Sequence, residues 1–152
     1  MKEKVKVRQL SQDDIDDIIR IEKALGGQVS PDLHLSILEY FGSSASPINL
    51  GAELDGKLIG FIVGELKSWE FGENKPVGWV KELGVDPAYQ GQGVGVALGR
   101  ELIRYFSSNG ATIVKTLVEW DSGDVISYFR GLGFKKGSQI VLKIDLSAFE
   151  FE

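Results

Sequence analysis

A short glycine-rich turn at residues 90–95 carries the strongest chemical signal in the chain. It reads Gln-Gly-Gln-Gly-Val-Gly and lies between a strand pattern and a helix pattern. Backbone N–H groups at the start of a helix have no intrahelical acceptor, so they can bind an anion. Glycine lets a phosphate approach the main chain because no Cβ intervenes. The turn is therefore predicted to bind a phosphate group, and a tight turn that binds nothing is the alternative.

Two familiar phosphate-binding loops do not fit this spelling. A nucleoside triphosphate loop needs Gly-Lys-Ser or Gly-Lys-Thr, but Gly95 is followed by Val-Ala. A dinucleotide fingerprint that starts at Gly91 needs Gly or Ala in place of Val96, and one that starts at Gly93 needs it in place of Leu98. The sequence therefore supports neither a nucleoside triphosphate loop nor a dinucleotide-binding fingerprint at this turn.

The elements that position this turn begin with a short strand and two amphipathic helices. The strand covers Val5 to Val7, and Ser11 with Asp14 resembles a capping box that opens the first helix. That helix is predicted to end at Gly26-Gly27. A second helix is predicted over residues 30–42, because a Ser-Pro pair suits its start and a glycine its end.

Three strands follow the helices. Ile48–Leu54 and Leu58–Leu66 are joined by Asp55-Gly56, a dipeptide that favours a tight hairpin turn. Val77–Val85 is the third strand, and Asp86-Pro87 stops it because proline cannot donate to a ladder. An antiparallel meander is expected.

A strand-helix-strand crossover is predicted after the meander. The helix that begins inside the glycine turn has an apolar residue at every fourth position: Val94, Leu98, Leu102 and Phe106. Thr112–Trp120 is apolar on both faces, as a buried strand would be. A further helix is capped by Asp121 and Ser122 and stopped by Gly133, and a last strand covers Ile140–Leu146. Residues 1–152 are therefore expected to form one α/β domain with a mixed sheet.

Composition excludes several classes of protein. With 17 Lys and Arg against 22 Asp and Glu, the net charge is −5, and no block of cations favours a nucleic-acid backbone. The chain has one histidine and no cysteine, which argues against a metal site and a cysteine nucleophile. No apolar run is long enough for a membrane span or a signal peptide. A cytoplasmic protein without nucleic-acid or membrane partners is expected.

The motifs resemble those of the GNAT superfamily of N-acetyltransferases. Gln90, Gly93 and Gly95 match the family's acyl-coenzyme A loop, in which Gln or Arg, two residues, Gly, one residue, and Gly or Ala follow one another. Residues 83–89 look like the strand and turn before that loop, and residues 128–134 are similar to the family's aromatic and Leu-Gly-Phe helix end. The resemblance implies antiparallel N-terminal strands, a central crossover and helices on both faces of the sheet.

The resemblance also implies a reaction and a set of binding residues. An acetyl group would pass from acetyl-CoA to a primary amine of a small molecule or peptide, by direct attack in a ternary complex. The residues that would contact CoA are Leu83, Gly84, Val85, Gln90, Gly91, Gln92, Gly93, Val94, Gly95, Val96, Ser122 and Phe129. A non-catalytic acyl-CoA-binding or sensing module is the alternative function. A homodimer that forms through the last strand is a further option.

Two residues are candidates for proton transfer. A primary ammonium must lose a proton before it attacks, and Glu82 is the only acidic residue in its strand; by alternation, Val80 and Gly84 share its face. An ordinary solvated strand residue is the alternative. The family's general acid is a tyrosine four residues before the glycine of Leu-Gly-Phe. Phe129 stands at that position here, so Tyr128, one residue earlier, is the candidate.

Overall fold

A computed structural model describes residues 5–26, 47–68, 70 and 72–151 of the chain. Its strands and helices, in chain order, are β1 Lys6–Gln9, α1 Ile15–Ala24, β2 Pro47–Leu54, β3 Lys57–Lys67, β4 Val77–Val85, α2 Val94–Ser108, β5 Ile113–Thr116 and α3 Gly123–Gly131. Short 3-10 turns cover Gln12–Asp14 and Pro87–Tyr89. The helix predicted over residues 30–42 lies outside the described residues.

The five described strands form one mixed sheet in the order β1-β2-β3-β4-β5. The first four strands pair antiparallel, and β5 pairs parallel with β4 after the α2 crossover. The meander and the crossover are both confirmed. A glycine turn at the carboxyl end of β4 therefore lies beside the place where the pairing changes from antiparallel to parallel.

Local sequence signals explain where several elements begin and end. Ser11 and Asp14 form the predicted capping box, with Asp14 accepting from the Ser11 N–H at 2.8 Å. Asp55 and Gly56 both have positive φ, at 51° and 78°, as a tight hairpin turn requires. These short-range predictions are confirmed because each depends on residues within one turn of the chain.

The described helices pack on both faces of the sheet, as predicted. Phe61 and Val63 of β3 pack with Ile18 and Ile21 of α1. On the other face, Ile62 packs with the predicted stripe of α2, which consists of Val94, Leu98, Leu102 and Phe106. The close approach of α2 requires a glycine beneath it, because a Cβ at Gly78 would overlap the Phe106 ring.

Two predicted strands differ from the structure. Only Ile113–Thr116 of the predicted strand Thr112–Trp120 is a strand, and Trp120 is exposed. The segment Ile140–Leu146 forms no strand, and its apolar side chains are exposed. A strand needs a neighbour that takes its N–H and C=O groups. Within the part of the chain that the structure describes, neither residues 140–146 nor the outer edge of β5 has one.

Candidate active site

The glycine turn connects the end of β4 to the first residue of α2. Gly91 and Gly93 have φ angles of 79° and 84°, a left-handed conformation that other residues rarely adopt. Gly93 is the N-cap of α2, so the helix begins inside the glycines as predicted. The backbone conformation, and not only the close approach of a ligand, explains why glycine occupies these two positions.

A row of backbone N–H groups is free at this turn. The first hydrogen bond of α2 runs from the Ala97 N–H to the Gly93 carbonyl, at 3.0 Å. Among the described residues, none accepts a hydrogen bond from the N–H groups of residues 91–96. These donors add to the positive end of the helix dipole. The turn can therefore bind an anionic group such as a phosphate.

An ion pair that the sequence analysis missed anchors the start of the turn. Asp86 is buried and accepts from the Ala88 N–H at 3.0 Å and from Arg20 of α1 at 2.7 Å. Arg20 also donates to the Leu58 carbonyl at 2.8 Å. The Arg20 guanidinium lowers the pKa of the Asp86 carboxyl. The Asp-Pro pair after the strand was a signal for a capped turn, but the arginine lies 66 residues away.

The sheet opens beside the turn. The pairing of β5 with β4 ends at Val80, whose carbonyl accepts from the Thr116 hydroxyl at 3.1 Å. Beyond that point, no described strand pairs with residues 81–85 on the side that β5 occupies. At the far end of the opening, the Gln90 side-chain amide donates to the Val85 carbonyl at 3.1 Å. Leu83 and Gly84 therefore lie on an open strand edge that leads to the glycine turn.

A β-bulge determines where Glu82 points. Val63 of β3 pairs with Glu82 and Gly64 pairs with Val80, so Lys81 is the extra residue. The bulge puts Val80 and Glu82 on opposite faces, and the prediction that they share a face is wrong. Gly84 does share the face of Glu82, which is the face covered by α1.

The carboxyl group of Glu82 lies next to that of Glu22 on α1. Desolvation, the negative charge of Glu22 and a hydrogen bond between the two side chains raise the pKa of Glu82 to about 7. Glu82 nevertheless keeps accessible surface, which weakens the effect of desolvation. The pKa of Glu82 is still raised, because two adjacent carboxylates cannot both ionise freely. The structure thus has a carboxyl that can gain or lose a proton near neutral pH and that solvent can reach.

Tyr128 packs against the first turns of α2. Its hydroxyl donates to the Gly95 carbonyl at 2.6 Å, and burial raises the pKa of Tyr128 to about 12. The ring fits because residue 99 is glycine: a Cβ there would lie 2.5 Å from the hydroxyl. Gly99 was missed by the sequence analysis, although its place one turn after Gly95 was visible. Tyr128 thus supports the helix that carries the free N–H groups.

Two other candidate CoA contacts lie nearby in the chain. Phe129 is buried in the core between the rings of Tyr128 and Phe134, each with its centroid 5.0 Å away. Ser122 is the N-cap residue of α3, but its side chain makes none of the predicted capping hydrogen bonds. Contacts of these residues with CoA stay predictions.

The described residues contain neither a metal-binding cluster nor a membrane-spanning helix. No group of three or more His, Asp or Glu side chains there could hold a metal ion. No helix in that part of the chain combines the length and the apolar character that a membrane crossing requires.

Comparison with known proteins identifies the family. The model of the Acetyltransferase (GNAT) family matches residues 15–134, from the start of α1 to the phenylalanine after α3. The chain belongs to the GNAT family of acetyltransferases. Acetyl-CoA is the acetyl donor of acetyltransferases in this family, and CoA-bound structures are among the chain's structural neighbours.

Curated GNAT relatives resemble part of the chain. An L-2,4-diaminobutyric acid acetyltransferase from Nocardia farcinica is 29% identical over 89 residues, which cover 59% of this chain and 44% of that protein. An N-alpha-acetyltransferase RimI from Mycobacterium tuberculosis is 34% identical over 98 residues, covering 60% of this chain and 56% of that protein. The chain thus spans less than two thirds of either relative.

The GNAT fold is also evident from solved structures. An aminoglycoside N-acetyltransferase in complex with CoA superposes with a TM-score of 0.81 at 17% identity, and the match covers 96% of this chain and 97% of that one. At this level of identity the likeness concerns the fold. It agrees with the mixed sheet and with helices on both of its faces.

Proposed function

We propose that this GNAT chain is an N-acetyltransferase that moves an acetyl group from acetyl-CoA to a primary amine. The observation that carries the proposal is the row of free N–H groups at residues 91–96, beside the open edge of β4. The row suits a pyrophosphate, and the edge suits the amide-containing arm of the same donor. Few other ligands combine a diphosphate with a long chain of amide groups.

The donor binds along these two features. The pyrophosphate lies against the backbone of Gly91 to Gly95, and Gln92 and Val96 complete the turn around it. Leu83 and Val85 hydrogen-bond the pantetheine arm through their main chain, as an added strand would. A backbone N–H near Leu83 to Val85 stabilises the oxyanion that forms when the thioester is attacked.

The acceptor is a cationic amine that meets Glu82. An ammonium has no lone pair, so the amine first loses a proton, and a carboxylate whose pKa is about 7 accepts one near neutral pH. The amine nitrogen then forms the new amide bond and gives up a second proton to solvent as the carbon–sulfur bond breaks, and the leaving thiolate takes up a proton from solvent. Glu22 adds negative charge beside Glu82, which favours a positively charged acceptor.

The relatives support an amine acceptor without selecting one. The names of these two relatives refer to a small diamino acid and to an α-amino group. A small amine or an amine of a peptide is therefore the acceptor class. The net charge of −5 favours a cationic substrate of either kind.

The hydrogen bond of Tyr128 favours a second candidate function, that of a non-catalytic module that binds acyl-CoA. The hydroxyl of this residue donates to the Gly95 carbonyl, and phenylalanine stands at the neighbouring position 129. A chain without a dedicated proton donor for the thiolate would still bind the donor. Water can protonate a CoA thiolate, so we favour the enzyme.

Binding of acetyl-CoA is required by both candidate functions, the enzyme and the non-catalytic module, and it is tested first. The ligand at about 100 times its Kd should raise the free energy of unfolding by about 2.7 kcal/mol. Gly93→Asp should abolish this effect, because a Cβ and a negative charge would stand among the free N–H groups. The matched control is Gly56→Asp in the β2-β3 hairpin, where φ is also near 80° and the added side chain meets open space. Equal stabilisation of both variants would reject the site.

Turnover separates the two candidates. Release of free CoA thiol is measured with acetyl-CoA and a panel of diamines, amino acids and peptides. The enzyme predicts release above the rate without an amine, and the module predicts none although acetyl-CoA binds. Mass spectrometry of the products then identifies the nitrogen that carries the acetyl group.

A further inference from the structure

Three lysine side chains surround one tryptophan on the sheet. The Nζ atoms of Lys67 on β3, Lys81 on β4 and Lys115 on β5 lie 5.7, 5.7 and 5.9 Å from the centroid of the Trp79 ring. We call these three lysines the lysine cluster. Solvent reaches all of them, since Lys81 is exposed and the other two are half-buried. The lysine cluster has no role in the site described above.

The lysine cluster carries more positive charge than its described neighbours balance. Lys81 forms an ion pair with Glu65 at 3.6 Å. Lys115 donates to the neutral side chain of Gln139 at 2.9 Å, and among the described residues no carboxylate pairs with Lys67 or Lys115. The chain as a whole is acidic, with 22 Asp and Glu against 17 Lys and Arg, so this local excess does not follow from composition.

The physical chemistry of such a cluster favours an anion. Attraction to the indole ring holds each ammonium group beside it. That attraction does not remove the repulsion between the ammonium groups themselves. An anionic group that lies among them offsets the repulsion and accepts charge-assisted hydrogen bonds. The lysine cluster can therefore bind a carboxylate.

The strand register relates the lysine cluster to Glu82. Val63 of β3 pairs with Glu82 of β4. Two residues further along β3, Glu65 pairs with Trp79, which in turn pairs with Lys115 of β5. Alternate residues of a strand share a face, and directly opposite residues do so as well, so both rows lie on one face of the sheet. A rise of about 3.3 Å per residue separates the two rows by about 7 Å.

We propose that the acceptor carries an anionic group as well as its amine, and that the lysine cluster binds this group while the amine meets Glu82. The inference rests on the proposed function, because it assigns the two ends of one acceptor to two places on the same face. The separation selects the class, since about two residues of extended peptide span 7 Å. A dipeptide fits, and so does a longer peptide with an acidic side chain next to its amino-terminal residue.

Opposite charges at the two places also orient the acceptor. Glu22 and Glu82 attract an ammonium group, and the lysine cluster repels one. In the reverse orientation, like charges would meet at both ends. A diamine or a polyamine is disfavoured for the same reason, because its second cationic group would lie among the lysines.

Matched acceptors provide the first test. Thiol release from acetyl-CoA is measured with the dipeptide Ala-Ala and with its carboxy-terminal amide, which has the same length and the same amine but no carboxylate. The amidated tripeptides Ala-Asp-Ala and Ala-Asn-Ala form a second pair that tests an acidic side chain. In at least one pair the acidic member should have the higher kcat/KM, by about tenfold and through KM. Added NaCl should reduce this difference.

The outcomes separate this inference from the proposed function. Equal kcat/KM within both pairs overturns the inference, and so does acetylation of other amines but of none of these peptides. In either case the chain is still an N-acetyltransferase. If no amine at all is acetylated, the proposed function fails and the inference fails with it.

Substitution of the lysines provides the second test. Lys67→Gln combined with Lys115→Gln removes the two charges that no described carboxylate offsets. This double variant should raise the KM of the acidic peptide, reduce its preference to about threefold or less, and leave the kinetics of the uncharged peptide unchanged. Lys136→Gln is the matched control, because Lys136 also lies over an indole ring, 5.7 Å from the centroid of Trp120.

The uncharged peptide also reports whether the double variant is folded. A preference that the double variant retains overturns the inference. An equal loss of kcat/KM with both members of a pair overturns it as well, because the lysines would then support the sheet and not bind the anionic group.

Discussion

Replacing Glu22 by glutamine should raise the kcat of the GNAT chain at acidic pH, when kcat is expressed as a fraction of the maximal kcat of the same variant. If Glu82 is the base, its ionised fraction sets the rising part of the pH profile of kcat. A carboxyl whose pKa is about 7 is ionised in roughly one molecule in ten at about pH 6. The wild-type kcat at that pH should therefore be about a tenth of its maximum at high pH.

Glu22→Gln removes the neighbouring charge but leaves the desolvation of Glu82. The midpoint of the profile should therefore move toward, without reaching, the ordinary glutamate value of 4.5. A move of about one pH unit would raise the relative kcat at about pH 6 from roughly a tenth to roughly half. The assay is initial-rate thiol release at saturating amine, scaled to the maximum of each variant.

Two controls make this result specific. Glu82→Gln should lose the inflection near neutral pH altogether, whereas Glu101→Gln, which removes an ion pair with Arg104 within α2, should reproduce the wild-type profile. The reasoning is refuted if the wild-type profile has no inflection near pH 7. It is refuted equally if Glu22→Gln leaves the midpoint where it was.

Three further predictions concern the support of the site. Tyr128→Phe should lower kcat/KM less than about tenfold, because it removes one hydrogen bond to the Gly95 carbonyl; a hundredfold loss in kcat with acetyl-CoA still bound would make Tyr128 the general acid. Gly99→Ala should lower the free energy of unfolding by about 1–3 kcal/mol in urea, because its Cβ would overlap the Tyr128 hydroxyl; an unchanged midpoint would contradict the packing. Arg8 donates to Asp14 at 2.8 Å and Arg20 donates to Asp86 at 2.7 Å, and these arginines lower the pKa values of the two carboxyl groups. The stabilisation is therefore present above about pH 4 and is lost as the pH falls further. Acid titration at intermediate urea should show this loss, and a stability that stays constant below about pH 4 would contradict it.

The sequence predicted those parts of the fold whose causes are local. The capping box, the Asp55-Gly56 turn and the glycine turn each depend on a few consecutive residues with distinctive backbone preferences. The apolar stripe of α2 was visible because helical periodicity is itself a local pattern. The family motif also lies within a single strand-turn-helix unit, so the position of the glycine turn could be predicted before the structure.

The features that escaped prediction depend on distant residues. Glu82 points away from the face of Val80 because Lys81 bulges, and no residue pattern in β4 marks that bulge. Glu82 lies next to Glu22, and Asp86 pairs with Arg20. Both partners lie within one turn of α1, and the position of that turn follows from the packing of α1 against the sheet. The last strand was predicted from residues 140–146 alone, but a strand also needs a neighbour that takes its N–H and C=O groups, and no described strand pairs with this segment.

Acetyl transfer to an amine is the central claim, and labelled acetyl-CoA tests it most directly. Acetyl-CoA with a ¹³C-labelled acetyl group is incubated with the wild-type chain and the amine panel, and with Gly93→Asp as the negative control. We expect one class of primary amine to acquire the label on nitrogen in the wild-type reaction only. If acetyl-CoA binds and no amine acquires the label, or if the Gly93→Asp reaction labels the amine equally well, the account is contradicted.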